Sequence, residues 1–194
     1  MLRIEVMGLQ DSVSRQPTTA ELDRMAGILD EAMQEGYLGL STDGLPLHFL
    51  ANEPNLSKRI PTQYAEFGEY KKLTDVVRKH DRVWQMTPAT DDGALTARLF
   101  MLSSGRLYDK PLKVTALAAI DSVNNRSNLS RGLLLTHLLN SSALQGKFRL
   151  QCLSAPFRVY SEGAVSPLAE ADPLMRRLIE TELEDVERRR EILC

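Results

Sequence analysis

Histidine, cysteine and charge of one sign are all in short supply in this chain, and each shortage removes a class of function. The three histidines are His48, His80 and His137, and none falls on a segment that reads as a strand. A hydrolytic zinc site takes three protein ligands with histidine prominent, so it finds little material here. The two cysteines, Cys152 and Cys194, are far apart. They make neither a disulfide framework nor a CxxC pair, and a reducing, cytoplasmic setting is expected. Cys152 sits in the run Phe148-Arg149-Leu150-Gln151-Cys152-Leu153 and is expected to be a buried thiol. Lysine and arginine total 24 against 26 aspartates and glutamates, a net charge of −2. So small a charge steers neither nucleic acid nor an anionic membrane to the chain, and neither is expected as a partner. The Arg188-Arg189-Arg190 run follows Glu184, Asp185 and Glu187 and reads as a solvated helix face.

Other absences narrow the field further. No stretch approaches 18 apolar residues, so no spanning helix is expected. Charges interrupt Leu2-Arg3-Ile4-Glu5-Val6-Met7, which excludes the apolar core of a secretory signal there. No glycine pattern matches a dinucleotide or P-loop fingerprint. No basic and aromatic residues interleave as in single-strand nucleic-acid binders.

What is present is an ordinary globular composition, 43% hydrophobic and 26% charged over 194 residues, expected to form a single domain over 1–194. Alternation over 2–7 predicts a first strand. Thr18 and Glu21 form a capping box ahead of Leu22, Met25, Ala26, Leu29 and Met33, which predicts an amphipathic helix that Gly36 stops. Tyr37 to Thr42 reads as a second strand, closed by Asp43-Gly44. Residues 45–61 hold Pro46, Pro54 and Pro61 and read as a long loop suited to binding. Its basic residues are Lys58 and Arg59. A helix is predicted over 63–79, a strand over 82–87, a helix over 92–103 and a strand over 112–120. Residues 130–140 read as a leucine-rich helix and 148–153 as a fifth strand. A last helix starts at Asp172-Pro173, a cap followed by a first-turn proline.

Strands alternating with helices imply an α/β fold with a mostly parallel sheet. About five βα units fall short of the ~250 residues of a closed eight-stranded barrel. An open doubly wound sheet and a segment of a barrel both fit.

In either fold the site gathers at the carboxyl ends of strands. There the candidates are Ser41, Asp43, Gln85, Thr87 and Asp121, with His48 in the long loop. Asp43 doubles as a turn former before Gly44. Asp121 doubles as a cap for the following polar loop. Ser41 lacks the G-x-S-x-G elbow of a nucleophile. His80, at a helix end, suits the helix dipole. His137 lies among leucines, and Trp84 reads as core.

The segments Val6-Met7-Gly8, Thr18 to Leu22, and above all Glu35-Gly36-Tyr37-Leu38-Gly39-Leu40-Ser41-Thr42 resemble the middle of N-acyl-D-amino-acid deacylases of the amidohydrolase superfamily. The resemblance is strongest over 5–42 and extends weakly over most of the chain. It implies a metal-dependent (β/α)8 barrel that hydrolyses C–N bonds, with a zinc-bound water attacking the amide carbonyl. It also implies that this chain corresponds to strands three to seven of that barrel. The family's His-x-His pair and last aspartate fall outside that span. Thr87 and Ala116 stand about where its two single histidines belong. The expectation is therefore an incomplete or inactive hydrolase segment, holding no cofactor itself, with zinc belonging to the complete enzyme. The alternative is a non-catalytic binding or assembly domain derived from such a barrel. Asp91 and Asp92 join Asp43 as polar pocket groups. A small-molecule substrate is expected, together with an oligomer partner or complementing segment over the open edges at 2–7 and 148–153.

Overall fold

The computed structural model describes residues 2–46, 48–50, 54–89, 91–119, 127–152, 177, 181 and 184–193. The elements are α1 (Leu2–Met7), α2 (Leu9–Ser12), α3 (Thr19–Gln34), β1 (Gly39–Asp43), a 3-10 turn (Pro61–Tyr64), α4 (Phe67–Lys79), β2 (Val83–Thr87), α5 (Gly93–Met101), β3 (Lys113–Ala119), α6 (Ser127–Leu139), β4 (Lys147–Cys152) and α7 (Val186–Leu193). No helix among the described residues is long and apolar enough to cross a membrane.

The predicted first strand is a helix. Alternation over 2–7 gave period two because Arg3 was read as an outward residue. Arg3 is in fact buried, on the same helical face as Met7 one turn on. Its guanidinium can be buried because each part of it has a partner: Nη1 donates to Glu69, Nε to the Ser12 carbonyl at 3.1 Å and Nη2 to the Arg15 carbonyl at 2.8 Å. Gly8, at φ 78°, then breaks the chain between α1 and α2.

Helix α3 begins as its sequence dictates. Thr18 Oγ1 accepts from the Glu21 amide at 3.3 Å, and the Glu21 carboxylate accepts from the Thr18 amide at 2.7 Å. Arg15 donates to both Asp11 and Glu21, and the bond from Arg15 is the main cause that holds Glu21 down at about 2. Met25, Ala26, Leu29 and Met33 are its buried stripe. The helix ends in a Schellman motif. The Tyr37 amide reaches back to the Ala32 carbonyl at 3.1 Å and Gly36 to Met33 at 3.3 Å, with Gly36 at φ 104°, a conformation only glycine takes freely.

The sheet has four parallel strands among the described residues, in the order β1-β2-β3-β4. The register aligns Leu40, Trp84, Val114 and Phe148 in one row, and Thr42, Met86, Ala116 and Leu150 in the next. These rows face the helices. Tyr70 of α4 meets Trp84 at 6.0 Å between ring centroids. Phe100 of α5 meets Phe148 edge-on at 4.9 Å. A side chain at Gly132 of α6 would touch Leu150. The alternate row, Ser41, Gln85, Thr115 and Arg149, is polar and lies on the opposite face.

Cys152 is exposed, not buried. It ends β4, the last strand of the described sheet, where Phe148 carries the packing and Arg149, Gln151 and Cys152 are solvent-facing. The edges of that sheet are β1 and β4, so residues 2–7 form no edge at all. The predicted helix over 63–79 is split: Pro61–Tyr64 makes a 3-10 turn, and α4 starts only at Phe67. The helix at 130–140 forms, but Leu133, Leu134 and Leu138 are exposed. Asp121 and the helix start at Asp172-Pro173 lie outside the described residues.

Candidate functional site

The carboxyl ends of β1 and β2 open into a cavity of about 340 Å³. Strand β1 delivers Thr42 and, just past its end, Gly44, β2 delivers Met86 and Thr87, the long loop delivers Arg59, and the 3-10 turn delivers Thr62 and Gln63. Asp91 and Asp92 precede α5, whose Leu95 and Leu99 supply an apolar wall. The volume and the mix of apolar wall with a few polar groups suit a small organic ligand.

Local hydrogen bonds explain how these residues are placed. The Gly44 amide donates to the Thr87 carbonyl at 2.8 Å, tying the end of β1 to the end of β2. A Cβ at Gly44 would stand 2.9 Å from that same carbonyl oxygen. Thr62 Oγ1 donates to the Asp43 carbonyl at 2.7 Å, and Tyr70 donates to the Thr62 carbonyl at 2.8 Å. Trp84, fully buried, donates from its indole to Thr42 Oγ1 at 2.9 Å. Asp92 accepts from the Leu95 amide at 2.8 Å and so caps α5. The long loop closes on itself through the Phe49 and Arg59 bridge, with Leu50 donating to Lys58 at 2.9 Å and Ile60 to His48 at 3.1 Å. That clamp brings Arg59 to the cavity mouth, where Nη1 meets Asp91 at 2.8 Å.

Of the sequence-predicted candidates, Thr87 and Asp91 line this cavity. Asp43 and His48 pair beside it: the carboxylate Oδ2 faces the imidazole Nδ1, while Oδ1 accepts from the Leu45 amide at 2.9 Å. The second bond is the turn-forming role read from Asp43-Gly44. The first fixes the imidazole orientation. Ser41 and Gln85 bond to each other on the polar face of the sheet. Ser41 lines a second, smaller cavity of about 190 Å³ that also holds Arg3 and Glu69. There, burial pushes the Glu69 carboxyl up despite its pairing with Arg3. His80 caps α4 and meets Asp30 at 2.7 Å, so it joins two helices far from the cavity.

The side chains of the described residues do not make a zinc site. No group of three or more His, Cys, Asp or Glu side chains converges among the described residues. Thr87 is the last residue of β2. Ala116 is fully buried in the helix-facing row beside Met86. A ligand there would point into the core, and the neighbour on the other face, Leu117, is apolar.

The residues that sequence reasoning passed over are Arg59, Thr62 and Gln63. Arg59 looked like a loop charge, and Thr62 and Gln63 straddle the start of a predicted helix. The signal for the last two was Pro61, which opens the 3-10 turn and stops α4 from starting early.

Comparison with known proteins places the chain beside larger ones. No family model matches it, and no solved structure matches it. Three curated relatives do: an uncharacterized protein of Mycobacterium bovis and uncharacterized proteins of two Mycobacterium tuberculosis strains. Each is 33% identical over 173 residues, which is 87% of this chain and 28% of the relative. The chain thus spans little more than a quarter of the length of the curated relatives it matches.

Proposed function

We propose that the chain is one segment of an amidohydrolase-type (β/α)8 barrel, and that it supplies substrate-binding surface rather than metal ligands. One observation carries the reading. The strands run parallel in sequential order, and α4, α5 and α6 all pack on the same face. Right-handed crossovers in unbroken order put every helix on one side, as in a barrel wall. A doubly wound sheet reverses its order and covers both faces. The polar row Ser41, Gln85, Thr115 and Arg149 then lies on the barrel's inner side, and the cavity opens at the carboxyl ends of β1 and β2, between Thr42 and Met86 and the helices α4 and α5. The resemblance of Glu35 to Thr42 to deacylases supplies the chemistry, hydrolysis of C–N bonds in small N-acylated amino acids.

Zinc belongs in this reading to strands outside the chain. The chain's own part is to hold and orient the ligand through Arg59, Thr87 and the wall of α5. The companion reading for the chain on its own is a binding domain without hydrolase activity. Two assays decide. Metal analysis of the purified chain is expected to find zinc well below one per chain. The longer Mycobacterium tuberculosis relative is expected to release free amino acid from N-acyl amino acids in a zinc-dependent manner. A relative that binds zinc yet cleaves no C–N bond would sink the hydrolase reading.

A further inference from the structure

The charges around the cavity are not arranged for a simple anion. Its described lining residues carry one cation, Arg59, and two carboxylates, Asp91 and Asp92. Asp92 is committed to the α5 cap. Arg59 and Asp91 hold each other at the mouth, with side chains 43% and 45% exposed. A pair so open to water is weak and can be parted by a ligand. An anion that took Arg59 would leave Asp91 stranded beside a second negative charge. A cation on Asp91 would strand Arg59. A zwitterion inserted between them gives each a new partner at no net cost in charge.

Gln63 holds the long loop against the cavity. Its Nε2 donates to the carbonyls of Leu45 and His48. Those two acceptors fix the amide orientation, because a flip would set oxygen against oxygen. Its Oε1 is buried and has no hydrogen-bond partner among the described residues. Met86, Leu95 and Leu99 provide the apolar side of the same cavity.

We propose that the cavity binds a free α-amino acid with an apolar side chain. The carboxylate meets Arg59 in a two-pronged contact. The ammonium meets Asp91, and the side chain lies against Met86, Leu95 and Leu99. This inference rests on the cavity being a ligand site, as in the proposed function, but it requires no hydrolysis. It makes the free amino acid, not its acylated form, the preferred occupant.

The test titrates the full chain, followed by amide NMR, with D- and L-leucine, N-acetylleucine and leucinamide. N-acetylleucine lacks the ammonium and leucinamide lacks the carboxylate. One leucine enantiomer is expected to bind at least about tenfold more tightly than both analogues, the value of one lost charge-assisted bond. The shifts are expected at Thr87 and Leu95. Arg59→Gln is expected to erase the preference over leucinamide, and Asp91→Asn the preference over N-acetylleucine. Both positions are on the exposed rim, so the variants fold. Tighter binding of N-acetylleucine than of leucine would overturn the inference and leave the hydrolase reading standing. No binding of any of the compounds overturns it too, while the activity of the longer relative decides the other reading separately.

Discussion

At the scale of single residues, the Glu35 to Thr42 motif is explained by backbone geometry. Gly36 takes a positive φ to close α3. Gly39 faces β2 so closely that a Cβ there would sit 1.8 Å from the Val83 carbonyl oxygen. Gly39→Ala must push β1 off β2, and overpacking of this kind costs about 1–3 kcal/mol. Gly27, exposed in the middle of α3, has nothing within 4 Å of its Cβ position. Gly27→Ala is expected to stabilise by about 0.5–1 kcal/mol, since alanine loses less backbone freedom in a helix. Urea denaturation of the two variants checks both signs. A Gly39→Ala protein as stable as the parent would mean the two strands do not approach as described.

At the scale of elements, two ionic contacts join helices that sequence pattern alone leaves separate. Arg3 of α1 meets Glu69 of α4, with side chains 4% and 5% exposed. Removing one partner leaves a buried charge, so Glu69→Leu is expected to cost about 3–5 kcal/mol. The double change Arg3→Met, Glu69→Leu removes both charges and is expected to recover most of that loss. A thermodynamic cycle by denaturation measures the recovery. The second contact is Asp30 of α3 with Lys79 and His80 at the end of α4. The bonds from Lys79 and then His80 lower Asp30 to about 2, from an ordinary 3.8. A lowered carboxyl contributes stability above its unfolded value and loses it as pH falls toward its folded one. The contribution of Asp30 is thus complete near neutral pH and fades between about pH 4 and 2. Asp30→Asn is expected to flatten that part of the stability profile, measured by thermal melts in steps of pH.

At the scale of the whole molecule, the sheet is open at β1 and β4 in the described chain. Open parallel edges invite further strands, and the relatives extend well beyond the matched quarter of their length. If the barrel reading holds, a polypeptide carrying the remaining strands is expected to raise the melting temperature of this chain when the two are mixed. A barrel completed in this way is also expected to protect the β4 edge amides from hydrogen exchange. Unchanged exchange at Phe148 to Cys152 would argue for a self-sufficient open sheet.

The elements that were legible in the sequence are those whose local signal and tertiary role agree. The capping box and stripe of α3 and the strands around Trp84, Val114 and Phe148 read correctly because burial repeats at the period of the element. So did the α/β class and the parallel sheet, since strands that alternate with helices are returned parallel by each helical crossover. Helix α1 misread because Arg3 is buried by Glu69, a residue 66 positions away, and no local pattern records that. Cys152 misread because whether an apolar run faces core or solvent depends on which strand ends the sheet. The cavity followed the same division. Thr87 and Asp91 were visible as polar groups after a strand. Arg59, Gln63 and the pairing of Asp43 with His48 emerged only when the loop bridge and the 3-10 turn folded back over the strand ends.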